Sequence, residues 1–128
     1  MNIAEFLEAR ITEDEALAEA AEISRHGERH TERWDYTSYV MSADRDCTEA
    51  QDRFIEEFWP ARVLAECAAK RAVIEQAEEA TGLDMSVDND RLVGRRDMKA
   101  EPYCGDVILA ALAAAYSDHP DYQQEWAL

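Results

Sequence analysis

Residues that break helices are scarce in this chain. Four glycines and three prolines are spread over 128 residues, and none is gathered into a run that could act as a linker. A low-complexity chain is therefore excluded, and a single domain over residues 1–128, long enough to bury a core, is expected. Long apolar runs are missing as well. The longest uncharged stretch, Val107 to Ser117, falls far short of the ~20 residues that cross a bilayer, so no membrane segment is expected. The opening residues, MNIAEFLEAR, lack the basic start and apolar run of a secretory signal. Cysteines number three, Cys47, Cys67 and Cys104. An odd count without CxxC spacing does not make a disulfide framework and fits reduced thiols in a cytoplasm.

Positive charge is scarcer still: 13 Lys and Arg stand against 29 Asp and Glu, a formal net charge of -16. Such a surface repels a phosphate backbone, so direct binding to nucleic acid is not expected. A protein partner with a basic surface would be attracted to it. With 47% apolar residues the chain has enough material for a core and reads as soluble and intracellular.

What is present is helical periodicity. The longest pattern is Pro60 to Ala80. Proline suits a first helical turn, where its missing N–H has no acceptor to lose, and Thr81-Gly82 reads as the stop. At 100° per residue Val63, Leu64, Cys67, Ile74 and Ala77 share one face. Lys70 and Arg71 flank that face, able to lay their stems on apolar neighbours and reach water or carboxylates with their heads. A first helix begins at Asn2, with Glu5 completing a capping box, and runs to about Ser24. Thr12 with Glu15 makes a second such pattern, so a break near Ile11 is the alternative. Ile3, Phe6, Leu7, Ile11, Leu17, Ala18 and Ala21 form the apolar face of this helix, and Arg10 and Asp14 fall within it. Their spacing of four suits a partly buried ion pair; a polar site is the other reading. On the opposite face Glu5, Glu8, Glu15, Glu19 and Glu22 form a stripe without a cation, either the wet side of the helix or a surface for a basic partner.

Residues 25–47 lose the helical period, and Trp34, Tyr36, Tyr39 and Met41 alternate as in a short strand or hairpin. Thr48 to Gln51 is a capping box opening a third helix, with Ala50, Phe54, Ile55 and Phe58 as its bulky apolar side. It ends at Trp59, because the residue before proline avoids helical geometry. After Gly82, Leu83, Met85 and Val87 alternate and could pair with Leu92-Val93 as a second hairpin. Arg91, Arg95, Arg96 and Lys99 make a basic patch suited to the protein's own carboxylates. Val107 to Tyr116 is apolar all round and should be largely buried, with Asp106 at the favourable end of its dipole. Tyr122 and Trp126, four apart near the end, can pack as one patch that closes the core.

Chemical motifs are weak. His26 and His30 have the spacing of two zinc ligands on a helix, with Cys47, Cys67, Cys104 or His119 to complete a set, but Gly27 stands where a metalloprotease would carry glutamate. Cys67 lies on a core face, as an inert thiol does. Cys104, at a helix start, is the better placed if a thiol reacts. No phosphate loop, GxSxG or carboxylate dyad is present, and neither an enzyme nor a cofactor is expected.

Three stretches, FLEARITEDEALAEAA (6–21), PARVLAECAAKRAVIE (60–75) and YSDHPDYQQEW (116–126), resemble blocks of a small family of unknown function from actinobacteria and their bacteriophages. That family usually has an aspartate before the PARVL block, where this chain has Trp59, and residues 25–59 align poorly with it. The resemblance implies a mostly helical fold and a phage or actinobacterial cytoplasm, with no known catalysis. Its motif positions are Arg10, Asp14, Arg62, Lys70, Arg71, Asp118, His119, Pro120, Asp121, Tyr122 and Trp126. The expectation is a mainly α domain, a compact bundle of four or five helices with room for a small β-hairpin. It would act as an accessory protein that binds and modulates another protein through acidic helix faces, nucleic-acid mimicry being one form of this. The competing reading is a small-molecule or metal-binding domain built on Arg10, Asp14, Lys70, Arg71 and His119.

Overall fold

A computed structural model describes residues 1–33, 48–90, 97 and 100–128, with the backbone alone at 89 and 90. Four helices account for most of it: α1 (Ile3–Ala21), α2 (Glu49–Glu57), α3 (Pro60–Asp90) and α4 (Cys104–Ala113). Short 3-10 turns follow at Ala114–Tyr116 and Gln124–Trp126. The protein is mainly α, and the described residues contain no strand; their one β-bridge joins Ile23 to Arg29. No described helix is long and apolar enough to cross a membrane. The expected strand among residues 34–41 and the basic patch at 91–99 lie outside the described residues.

The helix starts follow from local chemistry. Asn2 Oδ1 accepts the Glu5 N–H at 2.9 Å, and the Glu5 carboxylate accepts the Asn2 N–H at 2.8 Å. Thr48 and Gln51 exchange the same pair of bonds. Each box satisfies two amides that the first turn would leave without partners. The helix does not break near Ile11: α1 is continuous. Pro60 opens α3 one residue after Trp59, as its ring and missing N–H favour.

The stop expected at Thr81-Gly82 is overturned. α3 continues to Asp90, Gly82 included, so the alternating Leu83, Met85 and Val87 are exposed helix residues rather than a hairpin strand. Glycine ends a helix by adopting positive φ, and among the described residues only Gly27 does so. Without that reversal each added residue still gains an i to i−4 bond, and propagation wins over a weak breaker.

By its contacts the chain divides into two compact units, Thr12–Ala68 and a discontinuous one made of Met1–Ile11 with Ala69–Leu128. Both α1 and α3 contribute to each. In the discontinuous unit the buried apolar residues are Phe6, Leu7 and Ile11 of α1, Ile74 and Ala77 of α3, and Leu109, Ala110 and Ala113 of α4. The stretch from Val107 to Tyr116 is less covered than its composition suggests, since Val107 and Ala111 of α4 and Ala114 and Ala115 of the turn after it are exposed. The α4 backbone meets that of α3 at Gly105, where an added Cβ would lie 2.8 Å from the Ala77 carbonyl carbon and closer still to that carbonyl's oxygen and the Thr81 hydroxyl. Asp84 of α3 also accepts the Cys104 N–H at 3.4 Å, at the helix end that favours negative charge.

In the Thr12–Ala68 unit, α1 runs into a turn around Gly27, whose φ is 78°. Glu22 there is 4% exposed and paired with Arg29 at 2.6 Å. Arg62 braces the corner between α2 and α3: it donates to the Glu57 carbonyl at 2.9 Å and to Glu66 at 3.1 Å, and lies 4.4 Å over the Phe58 ring. The apolar side expected of α2 is largely on the outside, with Ile55 alone of its four residues half-buried. Phe54 is 64% exposed, Ala50 and Phe58 are also on the outside, and the residue α2 buries is Asp52, at 1% exposure. Asp52 belongs to the first turn, where the helix dipole favours a carboxylate, and that lessens the cost of turning the polar side inward. Leu17 departs likewise: it is 72% exposed and lines a groove of about 240 Å³ with Asp14, Ala18 and Phe58.

Two glycines therefore carry opposite expectations. Gly105→Ala forces a methyl into backbone, which cannot yield as a flexible side chain would. It should cost about 3 kcal/mol and lower the melting temperature by on the order of 10 °C. Gly82→Ala adds its methyl to open space within a helix and should stabilise by about 0.5–1 kcal/mol. Thermal unfolding followed by circular dichroism checks both, and a destabilised Gly82→Ala would restore the helix stop.

Candidate functional site

Phe6 and Arg10 stand one turn apart on α1, so both face the same way. The segment after α4 wraps over them. Its turns are held by backbone bonds from Ser117 to Ala114, His119 to Tyr116, Tyr122 to His119 and Trp126 to Gln123. The Gln123 side chain donates to the Met1 carbonyl at 3.2 Å. Four rings surround the fully buried Phe6: Trp126 at 5.0 Å, His119 at 5.8 Å, Tyr122 at 6.1 Å and Tyr116 at 6.4 Å between centroids. Most meet it edge-on, as the ring quadrupole prefers. Tyr122 and Trp126 pack on each other at 5.7 Å, the contact expected from their spacing.

Arg10 is 6% exposed, and its guanidinium carbon lies 5.2 Å from the Phe6 ring centroid. One terminal nitrogen is 2.9 Å from His119 Nδ1 and 3.5 Å from the Asp121 carboxylate. The Asp121 backbone N–H also points at Nδ1, at 3.1 Å. Arginine can only donate, and so can an amide N–H, so His119 Nδ1 must be a bare acceptor with its proton on Nε2. The Asp121 carboxylate, 3.9 Å from Nδ1, is thus the charge partner of Arg10 and not of the imidazole. A carboxylate, a ring nitrogen that accepts and an aromatic face are thus among the groups that meet this buried cation.

Lys70 and Arg71 of α3 find partners in the same unit. Lys70 donates to the Tyr116 hydroxyl at 2.8 Å, and Arg71 forms an ion pair with Glu8. Of the five polar residues expected to form one site, Arg10 and His119 are in contact. Lys70 joins them through Tyr116, which shares Phe6 with His119, and Arg71 is engaged with α1. Asp14 belongs to the other unit. Phe6 and Tyr116, the hub and the link, are absent from that set. Their signal is the spacing of four from Phe6 to Arg10 and the place of Tyr116 at the head of the YSDHPDYQQEW block.

The acidic stripe of α1 is not cation-free. Glu8 pairs with Arg71, Glu22 is buried against Arg29, and Glu5 is engaged in its helix cap. Glu19 remains exposed, while Glu15 is half-buried. The expectation overlooked cations that come from outside the helix. The helical spacing imagined for His26 and His30 is not realised either, because α1 ends at Ala21 and both lie in the Gly27 turn. His30 is 3.1 Å from Glu32 and 3.7 Å from Glu28. The Glu32 carboxyl is held below its usual range by its own backbone N–H first and by His30 second. Among the described residues no group of three potential ligands is placed to hold a metal. Cys67 is buried and Cys104 exposed; Cys47 lies outside the described residues.

The chain belongs to a family of unknown function, DUF6221, whose model matches residues 1–128. No match is found among curated proteins or among solved structures. Two of the motif blocks, those beginning at Phe6 and Tyr116, thus meet around one ring and one guanidinium.

Arg10→Met should leave the His119 and Asp121 polar groups without their donor and cost about 2–3 kcal/mol. In the unaltered protein, nitrogen NMR of His119 should show a bare Nδ1 and a protonated Nε2, a preference that Arg10→Met weakens. A protonated Nδ1 at neutral pH would contradict the assigned bonding.

Proposed function

We propose that this chain is an accessory protein that binds another protein, one with a basic surface, through carboxylates left open on its helices. The observation that carries this reading lies on α3. Glu78 and Glu79 lie three and four residues after Glu75, so both neighbour it on one face of the helix. All three are exposed and have no cation among the described residues; Glu79 accepts only a bond from Gln76 at 3.3 Å. They replace the α1 stripe as the favoured surface, because most of that stripe is already neutralised or engaged. Like charges one turn apart cost a helix a few tenths of a kcal/mol, so nothing in the helix itself calls for them.

The net charge of -16 favours encounter with a basic surface and disfavours direct contact with nucleic acid. Carboxylates at this spacing suit a protein that otherwise holds phosphates, so mimicry of nucleic acid is one form of the proposal. A phage or actinobacterial cytoplasm is the setting that goes with it, from the likeness of the three sequence blocks.

The test is capture from an actinobacterial lysate on the immobilised protein, with E75Q/E78Q/E79Q in parallel. The triple variant should fold at least as stably as the parent. Proteins retained at 0.1 M salt should be released at 1 M, where screening falls to about 3 Å, and should not be held by the variant. Competition by duplex DNA would single out mimicry. Retention indifferent to both salt and substitution would overturn the proposal.

A further inference from the structure

Trp126 has a second neighbourhood besides the Phe6 cluster. A cavity of about 570 Å³ opens there, within the discontinuous unit, between the start of α1 at Ile3, the first turns of α4 and the last residues of the tail. Its walls are mostly apolar: Ile3, Val107, Ala110 and the Trp126 indole contribute to them. Its volume lies in the range of sites that hold small organic molecules. Two acidic side chains, Asp106 and Glu125, also line it, and neither has a cation or hydrogen-bond donor among the described residues. Burial holds the Asp106 carboxyl above the usual aspartate range, the behaviour of an anion whose surroundings do not compensate it.

Charge and shape select the occupant. An anion would be repelled by both carboxylates, and a neutral apolar molecule would leave them uncompensated. A bare divalent ion would lack the six or more oxygens that hard cations require. An organic cation satisfies both features, since its ammonium can meet the carboxylates while its body replaces water on the apolar walls, with the indole able to face positive charge. We propose that this cavity binds a small primary amine with a compact apolar body, its ammonium on Asp106 and Glu125 and its body against Val107, Ala110 and Trp126. This site is distinct from the open carboxylates of α3 and does not depend on the protein-binding reading.

The probe is 2-phenylethylamine, titrated into the full chain at neutral pH and low salt and followed by proton–nitrogen NMR, with 2-phenylethanol and 3-phenylpropionate as neutral and anionic counterparts. The amine should bind saturably, with Kd on the order of 1 mM or tighter for so small a ligand. The largest shifts should fall on Val107, Ala110 and the Trp126 indole N–H. The alcohol should bind at least about tenfold more weakly and the acid not saturably, the tenfold being the scale of one charge-assisted contact. Asp106→Asn and Glu125→Gln should each weaken the amine by about tenfold while circular dichroism shows the fold retained. Four results would overturn the proposal: no saturable binding, equal binding of amine and alcohol, affinity indifferent to both substitutions, or shifts spread over the exposed acids of the chain.

Discussion

A guanidinium under a canopy of rings is the constraint from which the discontinuous unit takes its form. Arg10 is nearly sealed from water, yet it carries a full charge, and a buried charge is costly unless it is paired. One of its terminal nitrogens meets His119 and Asp121, more than a hundred residues further along the chain. The tail must therefore come back to α1, and it must do so with an imidazole that presents a lone pair instead of a proton. Phe6, one turn earlier, rewards the same return by burying four rings on one. The polar and apolar demands agree, which is the condition for a single well-defined packing.

How much of this can be read without coordinates depends on distance along the chain. The boxes at Asn2–Glu5 and Thr48–Gln51 are legible because a residue and the one three ahead contain all the chemistry. Arg10 is legible as an anomaly, a charge on an apolar face, but its spacing nominates Asp14 and cannot reveal His119. Glu8 and Glu22 look unopposed from within α1 for the same reason, since Arg71 and Arg29 lie outside that helix. Gly82 misleads in another way. A glycine followed by alternating apolar residues has the composition of a stop and a strand, and only the backbone reveals that it stays helical. The side that α2 buries is the least legible, because its own pattern favours Phe54 and Phe58 and the decision to bury Asp52 belongs to what surrounds it.

The candidate site and the proposed surfaces occupy different chemistry in the discontinuous unit. Around Phe6 nearly every polar group has a partner, which makes that cluster a fastening between α1 and the tail. The carboxylates at Glu75, Glu78 and Glu79, and those at Asp106 and Glu125, have no cation among the described residues. In a chain so rich in acid, the informative distinction is between carboxylates already compensated and those left open to something outside.

The division of α1 and α3 between two units bears on how the protein could be taken apart. Excising Thr12–Ala68 as a fragment would cut α1 after Ile11 and α3 before Ala69, in the middle of hydrogen-bonded turns. Each severed end would bare as many as four amides or carbonyls that the uncut helix satisfies, with no capping side chain designed for the new terminus. The remainder would be two pieces with no peptide link between them. Neither half is inherited whole by any single truncation, so for this chain dissection by shortening is the wrong instrument and point substitution the right one.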